Sequence, residues 1–66
     1  MKKSDIQQAR ESFAAKLKGW RLRREVSQSQ AAKVLGVPTK TLQAWEHART
    51  KPSGVGFAML TKLLDR

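Results

Sequence analysis

Residues 36–50, GVPTKTLQAWEHART, decide how the rest of the chain is interpreted. Leu42 and Trp45 stand three apart, a spacing that is typical of the buried face of a helix. The residues before and between them offer hydrogen-bonding groups instead of apolar surface: Thr39, Lys40, Thr41 and Gln43. A chain of 66 residues buries only about 60% of its unfolded surface, so apolar positions are scarce. A polar helical face in such a chain indicates a surface that binds a partner.

The charge of the chain indicates what that partner is. Fourteen Lys and Arg stand against five Asp and Glu, a formal net charge of +9. This much positive charge on a small body costs self-repulsion unless a polyanion relieves it. Nucleic acid is the favoured partner and an anionic membrane is less favoured. A merely soluble cationic surface is the alternative.

Several classes of protein are disfavoured by the composition. The chain has no Cys and one His, so we expect no disulfide, metal site or cofactor. No apolar stretch approaches the roughly 18 residues of a membrane span, and no signal peptide is visible. We therefore expect no membrane partner and a cytoplasmic location. No nucleophile, base and acid set and no phosphate-binding Gly loop is present, so an enzyme is not expected. Since this length corresponds to one small domain, we also expect no small-molecule ligand.

Capping residues and apolar periodicity predict an all-α fold. Ser4 and Gln7 form one capping-box pattern, and Ser27 and Gln30 form a second. Gly36 suits a left-handed helix end, and Ser53 can cap a last helix. The predicted helices cover residues 4 to about 24, 27–35, 38 or 39 to about 47, and 53 to about 65.

The two short helices and their turn have the spacing of a helix-turn-helix unit. The unit spans 20 residues, from the start of the second helix at Gln28 to the end of the third at His47. Ala32 lies where two helices must cross closely, and Gly36 lies at the turn. In such a unit the second of the two helices enters the major groove of DNA.

The segment VSQSQAAKVLGVPTKTLQAWEHARTKPSG resembles the Cro and lambda-repressor type of helix-turn-helix regulator, also called the xenobiotic-response-element family. The resemblance runs from near Leu17 to Leu64. It implies a compact bundle of four to five helices, with residues 13–66 as the DNA-binding domain. Residues 1–12 would be an N-terminal extension that is part of the first helix or flanks it. Pro38 departs from the Ser or Thr that is common in the family, which could shift the start of the third helix by one residue.

The residues that would touch DNA divide by role. The first turns of a recognition helix reach deepest into the groove, so Thr39, Lys40 and Gln43 are predicted to read bases. Contacts to the DNA backbone are predicted for Gln28, Thr41, His47, Arg49 and Lys51. For Gln28 both its position at a helix start and the resemblance favour a phosphate. The resemblance also implies that Glu46 pairs inward with Arg21.

The last helix carries two apolar stripes. Phe57, Leu60 and Leu64 form one stripe; Val55, Met59 and Leu63 form the other. One stripe closes the core, and the other would be exposed to solvent on a monomer. The pattern predicts a homodimer through Val55, Met59 and Leu63, with the N-terminal extension as the alternative contact.

The leading interpretation is a sequence-specific repressor that binds a palindromic operator on double-stranded DNA and regulates its own operon. Small regulators of this build occur in phages and mobile elements, including anti-CRISPR-associated repressors. The alternative is an antitoxin, which would bind a toxin protein as well as operator DNA. A third class, a cationic helix acting on membranes, is disfavoured by the well-formed caps and turn.

Overall fold

A computed structural model describes residues 4–65, which form four helices and no strand. They are α1 (Asp5–Arg23), α2 (Gln28–Leu35), α3 (Thr39–Glu46) and α4 (Gly54–Leu64). The predicted all-α class is confirmed, and each boundary lies within a residue of the expected one. Predictions that concern residues 1–3 and 66 lie outside the described residues. None of the four helices is long and apolar enough to cross a membrane.

The helix starts agree only in part with the predicted caps. The capping box of α2 is complete: Ser27 Oγ accepts from the Gln30 N–H, and Gln30 Oε1 accepts from the Ser27 N–H. At α1, Ser4 Oγ accepts from the Gln7 N–H, while the Gln7 side chain donates to Glu11. Ser53 is the N-cap residue of α4, as predicted, but its side chain makes no capping hydrogen bond. The helix begins there with Ser53 in extended geometry.

The core lies where α1 crosses α3 and α4. Its aromatic centre is Phe13, which meets the Trp45 ring edge-on at a centroid distance of 5.7 Å and the Phe57 ring at 5.6 Å. The other members of the core are Leu17, Trp20, Ala31, Ala32, Leu42 and Leu64. Burial of a large apolar side chain contributes roughly 1.5–3 kcal/mol. In a domain this small, each of these contacts is a large share of the total stability.

Three helices end in the same hydrogen-bond pattern. At each end one N–H bonds to the carbonyl five residues before it, and the preceding N–H bonds to the carbonyl three residues before it. The first set of bonds is Val26 to Arg21, Val37 to Ala32 and Arg49 to Ala44. This is the Schellman motif, and it places one residue of each turn in the left-handed region. Those residues are Glu25 (φ 55°), Gly36 (φ 72°) and Ala48 (φ 59°).

The residues at the left-handed positions make a testable prediction about stability. Gly36→Ala should lower stability by about 1–2 kcal/mol, because a Cβ strains this conformation, although the space around Gly36 is open. Ala48→Gly should raise stability by up to about 1 kcal/mol, since relief of the same strain exceeds the added entropy of the unfolded chain. Thermal unfolding of both variants measures the two changes. If both substitutions changed the stability in the same direction, these two positions would not control the stability of the turns.

Candidate nucleic-acid interface

The geometry of the interface begins with the packing of α2 against α3. Ala31 and Ala32 are fully buried on α2, and Leu42 is fully buried on α3. Small side chains at a helix crossing let the two backbones approach closely. The turn between the helices is short because Gly36 reverses the chain and Pro38 starts α3 in extended geometry. Thr39 is the first helical residue, so Pro38 stays at the cap position.

One face of α3 is buried and the other is polar. Leu42, Trp45 and Glu46 are buried. Lys40 and His47 are exposed and Gln43 is half-buried, and their spacing of three and four residues puts them on one side of the helix. Thr39 precedes them on the first turn, and Thr41 lies about 100° around the helix from Lys40. The predicted base readers therefore lie on the first five residues of α3, and His47 caps its end.

The loop after α3 carries two further predicted contacts in different settings. Arg49 is exposed. The Lys51 ammonium lies 4.6 Å from the centroid of the Phe57 ring, which holds the charge against the start of α4 by a cation–π contact. Arg49 is thus free to move toward a ligand, whereas the Lys51 side chain is held by its contact with Phe57.

A hydrogen-bonded cluster joins α1, α2 and α3 beside this face. Arg21 Nε donates to Glu46 Oε2 at 2.7 Å, and Arg21 Nη2 donates to Glu46 Oε1 at 3.2 Å. Arg21 also donates to the carbonyl of Val26. The Glu46 side chain is 1% exposed and that of Arg21 is 17% exposed. Such a two-pronged pair fixes the geometry as well as the charge.

The cluster continues outward through two amides. Gln28 Nε2 donates to Glu46 Oε1 at 3.1 Å, and Gln43 Nε2 donates to Gln28 Oε1 at 3.3 Å. Gln28, predicted from the sequence as a phosphate contact, therefore links the buried carboxylate to Gln43, a predicted base reader. The sequence contains no direct sign of this link. It depends on the packing of α2 against α3, which brings residues 15 apart together.

The charges around Glu46 keep it ionised. Burial alone would raise the pKa of its carboxyl group, but hydrogen bonds from Arg21 and Gln28 and the charges of Arg21 and Lys18 outweigh that effect. The pKa of Glu46 therefore lies below its ordinary value. In turn, the hydrogen bond to Glu46 is the largest influence on the pKa of Arg21, which is raised.

Lys18 carries a charge that acts on the cluster, and the sequence-based prediction of the site did not include it. It is exposed on α1, and its charge helps to lower the pKa of Glu46. Its position three residues before Arg21 could have revealed it, because residues three apart share a helix face. Lys16, two residues earlier, instead pairs with Asp65 at the end of α4 at 3.7 Å.

Away from α3 lie a cleft and an apolar stripe. The cleft has a volume of about 390 Å³ and is lined by Ala15, Lys16, Gly19, Arg23, Leu64 and Asp65. On α4, Leu64 is buried and Phe57 and Leu60 pack on the core. Val55 and Met59 are 75% and 66% exposed, and Leu63 is half-buried. Within residues 4–65 no group of His, Asp and Glu side chains could hold a metal ion.

These features define a helix-turn-helix protein: two short helices in close contact, a left-handed turn and a second helix with one polar face. A model of the helix-turn-helix family matches residues 17–64, and the chain belongs to this family of DNA-binding transcription regulators. The resemblance to Cro and lambda-repressor regulators is thereby confirmed. No curated protein and no solved structure matches the chain.

The buried pair predicts a large effect of one substitution. Glu46→Ala should cost roughly 3–5 kcal/mol of stability, because it leaves the largely buried Arg21 charge without its partner. The matched control is Asp65→Ala, which removes the pair with Lys16. The side chains of that pair are 56% and 43% exposed, so its loss should cost less than about 1 kcal/mol. Denaturant unfolding at neutral pH measures both variants.

The same comparison has a defined pH dependence. Because the folded-state pKa of Glu46 is depressed, its contribution is complete above the ordinary value of 4.5 and is lost as pH falls through the folded-state pKa. The stability difference between wild type and Glu46→Ala should therefore shrink in acid. A difference that is small at neutral pH, or that grows in acid, would contradict this account of the pair.

Proposed function

We propose that the protein is a sequence-specific repressor that binds double-stranded DNA as a homodimer, with α3 in the major groove of each half-site. The observation that carries the proposal is the division of α3 into a buried face and a polar face. Leu42, Trp45 and Glu46 anchor the helix, and the opposite side offers donors and acceptors in a chain of net charge +9. A helix of this kind fits the groove in shape, chemistry and charge.

The residues that contact the bases are Thr39, Lys40 and Gln43. Lys can donate to O6 or N7 of guanine, Gln can pair with adenine through two hydrogen bonds, and a Thr methyl group can contact the methyl group of thymine. The exposure of Lys40 and its place in the first turn of α3 support its role. Gln43 lies one turn later on the same side.

Phosphate contacts surround this reading surface. Arg49 is exposed just beyond α3, and Lys51 follows it in the loop. Lys18 is exposed on α1, and its charge acts on Glu46. The remaining members of the set are Gln28, Thr41 and His47. These contacts position the domain without reading sequence.

The outward stripe of α4 forms the dimer contact. Val55 and Met59 are among the most exposed large apolar side chains of the described chain, and Leu63 continues their stripe. A second copy of the same stripe would cover it in a two-fold, self-complementary contact. Two copies then place two α3 helices on one side of an inverted repeat.

Repression follows from occupancy of the operator by the dimer. A dimer seated on an operator that overlaps a promoter excludes the polymerase, and occupancy rises with the concentration of the protein. If that promoter drives the gene of the repressor, the protein limits its own expression. The site of action is then the cytoplasm of a bacterial cell, where the operator lies.

The proposal predicts strongly salt-dependent binding. If each subunit neutralises about four phosphates, a dimer neutralises about eight, and a plot of log K against log salt should have a slope near −7. A slope near −4 with one protein per duplex in sedimentation would refute the dimer, and a slope near zero would refute DNA binding. A footprint upstream of the gene identifies the duplex to use.

A matched pair of variants on α1 checks that the slope reports this surface. Lys18→Ala should reduce the slope by about one per subunit, because it removes a phosphate contact. Lys16→Ala removes the same charge two residues away, on the side of α1 that faces Asp65, and should leave the slope nearly unchanged. Equal changes would mean that only total charge matters.

A second prediction separates base reading from phosphate binding. Lys40→Ala should cost about 1–3 kcal/mol on the preferred site and relax the preference at one position of each half-site. Arg49→Ala should weaken binding by a similar factor on every sequence. Titration of both variants on a cognate and a scrambled duplex, at two salt concentrations, measures the difference. Equal losses of Lys40→Ala on both duplexes would make Lys40 a phosphate contact.

A further inference from the structure

The cluster at Glu46 has a fixed hydrogen-bond direction. An ionised carboxylate only accepts hydrogen bonds, so Gln28 must present its NH₂ group to Glu46. The carbonyl oxygen of Gln28 then faces Gln43, and Gln43 in turn must present its NH₂ group. The orientation of two surface amides, each of which could rotate by 180° in isolation, is therefore set by one buried charge.

This direction leaves Gln43 with a defined set of free groups. A Gln side chain has two N–H donors and one carbonyl acceptor. One N–H of Gln43 is bonded to Gln28, so one N–H and the carbonyl oxygen remain. Adenine presents one acceptor, N7, and one donor, the N6 amino group, at its major-groove edge. The remaining groups of Gln43 match this pair.

We propose that Gln28 is a positioning residue: it transmits the polarity of the buried Glu46 carboxylate to Gln43 and thereby makes Gln43 select adenine. This inference rests on the proposed function, since it needs α3 in the major groove. This role is separate from the phosphate contact proposed for Gln28, which would use its second N–H and carries no base preference. Because Gln43 is already hydrogen-bonded to Gln28, it also loses less side-chain freedom when it binds a base.

The first test uses variants that keep the length of the side chain and remove its hydrogen bonds. The preferred site of the wild type is selected from random duplexes, and each position is then replaced by the other three base pairs. Gln43→Met should lose about tenfold of the preference for an A·T pair at one position per half-site. Gln28→Met should lose the same preference at the same position, and preferences elsewhere should stay. The double variant Gln28→Met/Gln43→Met should discriminate at that position no worse than Gln43→Met alone.

The outcomes distinguish this inference from the function on which it rests. A wild type with no preferred duplex would overturn both. Wild-type preference that survives Gln43→Met, or a Gln28→Met variant that weakens every duplex equally, would overturn the positioning role and leave DNA binding intact. Thermal unfolding of each variant accompanies the titrations, since a merely structural role would lower stability without selecting one base position.

A second variant tests the direction of the cluster. In Glu46→Gln the neutral side chain can donate to Gln28, which allows both amides to reverse. A reversed Gln43 accepts from Gln28 and offers two N–H donors, which suit the two acceptors of guanine. At the position read by Gln43, the preference for A·T should fall. Binding to G·C at that position should rise relative to binding to A·T. An unchanged preference for A·T in folded Glu46→Gln would contradict the proposal.

Discussion

The ion pair between Arg21 and Glu46 is the contact on which the placement of α3 depends. An isolated helix of eight residues is not stable in water, so α3 exists only because it is held from outside. Leu42 and Trp45 hold it by burial, but apolar contacts are non-directional and tolerate small rotations. The two hydrogen bonds from Arg21 to Glu46 have a direction and a register. A buried pair adds little net stability compared with an apolar pair of similar volume, and what this one adds is a defined rotation of α3 about its own axis.

A second constraint is the small core, which the helix ends help to offset. Phe13 joins three helices through its contacts with Trp45 and Phe57, and the small Ala31 and Ala32 bring α2 close to α3. Between the helices, Schellman turns satisfy carbonyl groups that would otherwise lack partners. Glu25 and Ala48 occupy left-handed positions in these turns without the freedom of glycine. The chain thus accepts local strain in order to make tight reversals, one of which leads directly into Arg49.

Much of the fold follows from local sequence, whereas the finer features of the interface do not. Ser27, Gln30 and Gly36 mark the ends of α2 because caps and turns depend on neighbouring residues. Gly36 also revealed its turn, but nothing at Glu25 or Ala48 indicated theirs, since neither residue type favours a positive φ. Ser53 lies at the N-cap of α4 without a side-chain capping bond, which shows that a suitable residue at a helix start does not guarantee the bond. The link from Glu46 through Gln28 to Gln43 joins residues 18 and 15 apart. Polar partners at such separations have no periodicity to reveal them; only the packing of α2 on α3 brings them together.

A carboxylate beside a surface meant for a polyanion requires an explanation, and the charges around Glu46 supply one. Arg21 neutralises it directly, and the positive charge of Lys18 also acts on it. The local balance is therefore positive even though the carboxylate is ionised, and the negative charge is screened from an approaching phosphate. Removing the carboxylate would relieve the repulsion from DNA further, but it would also remove the acceptor that orients Gln28. Only an acceptor without donors can fix the direction of both amides. If Gln43 reads a base as we propose, the position favours a buried charge over a neutral amide, because a neutral amide would leave Gln43 free to present either of two hydrogen-bonding patterns.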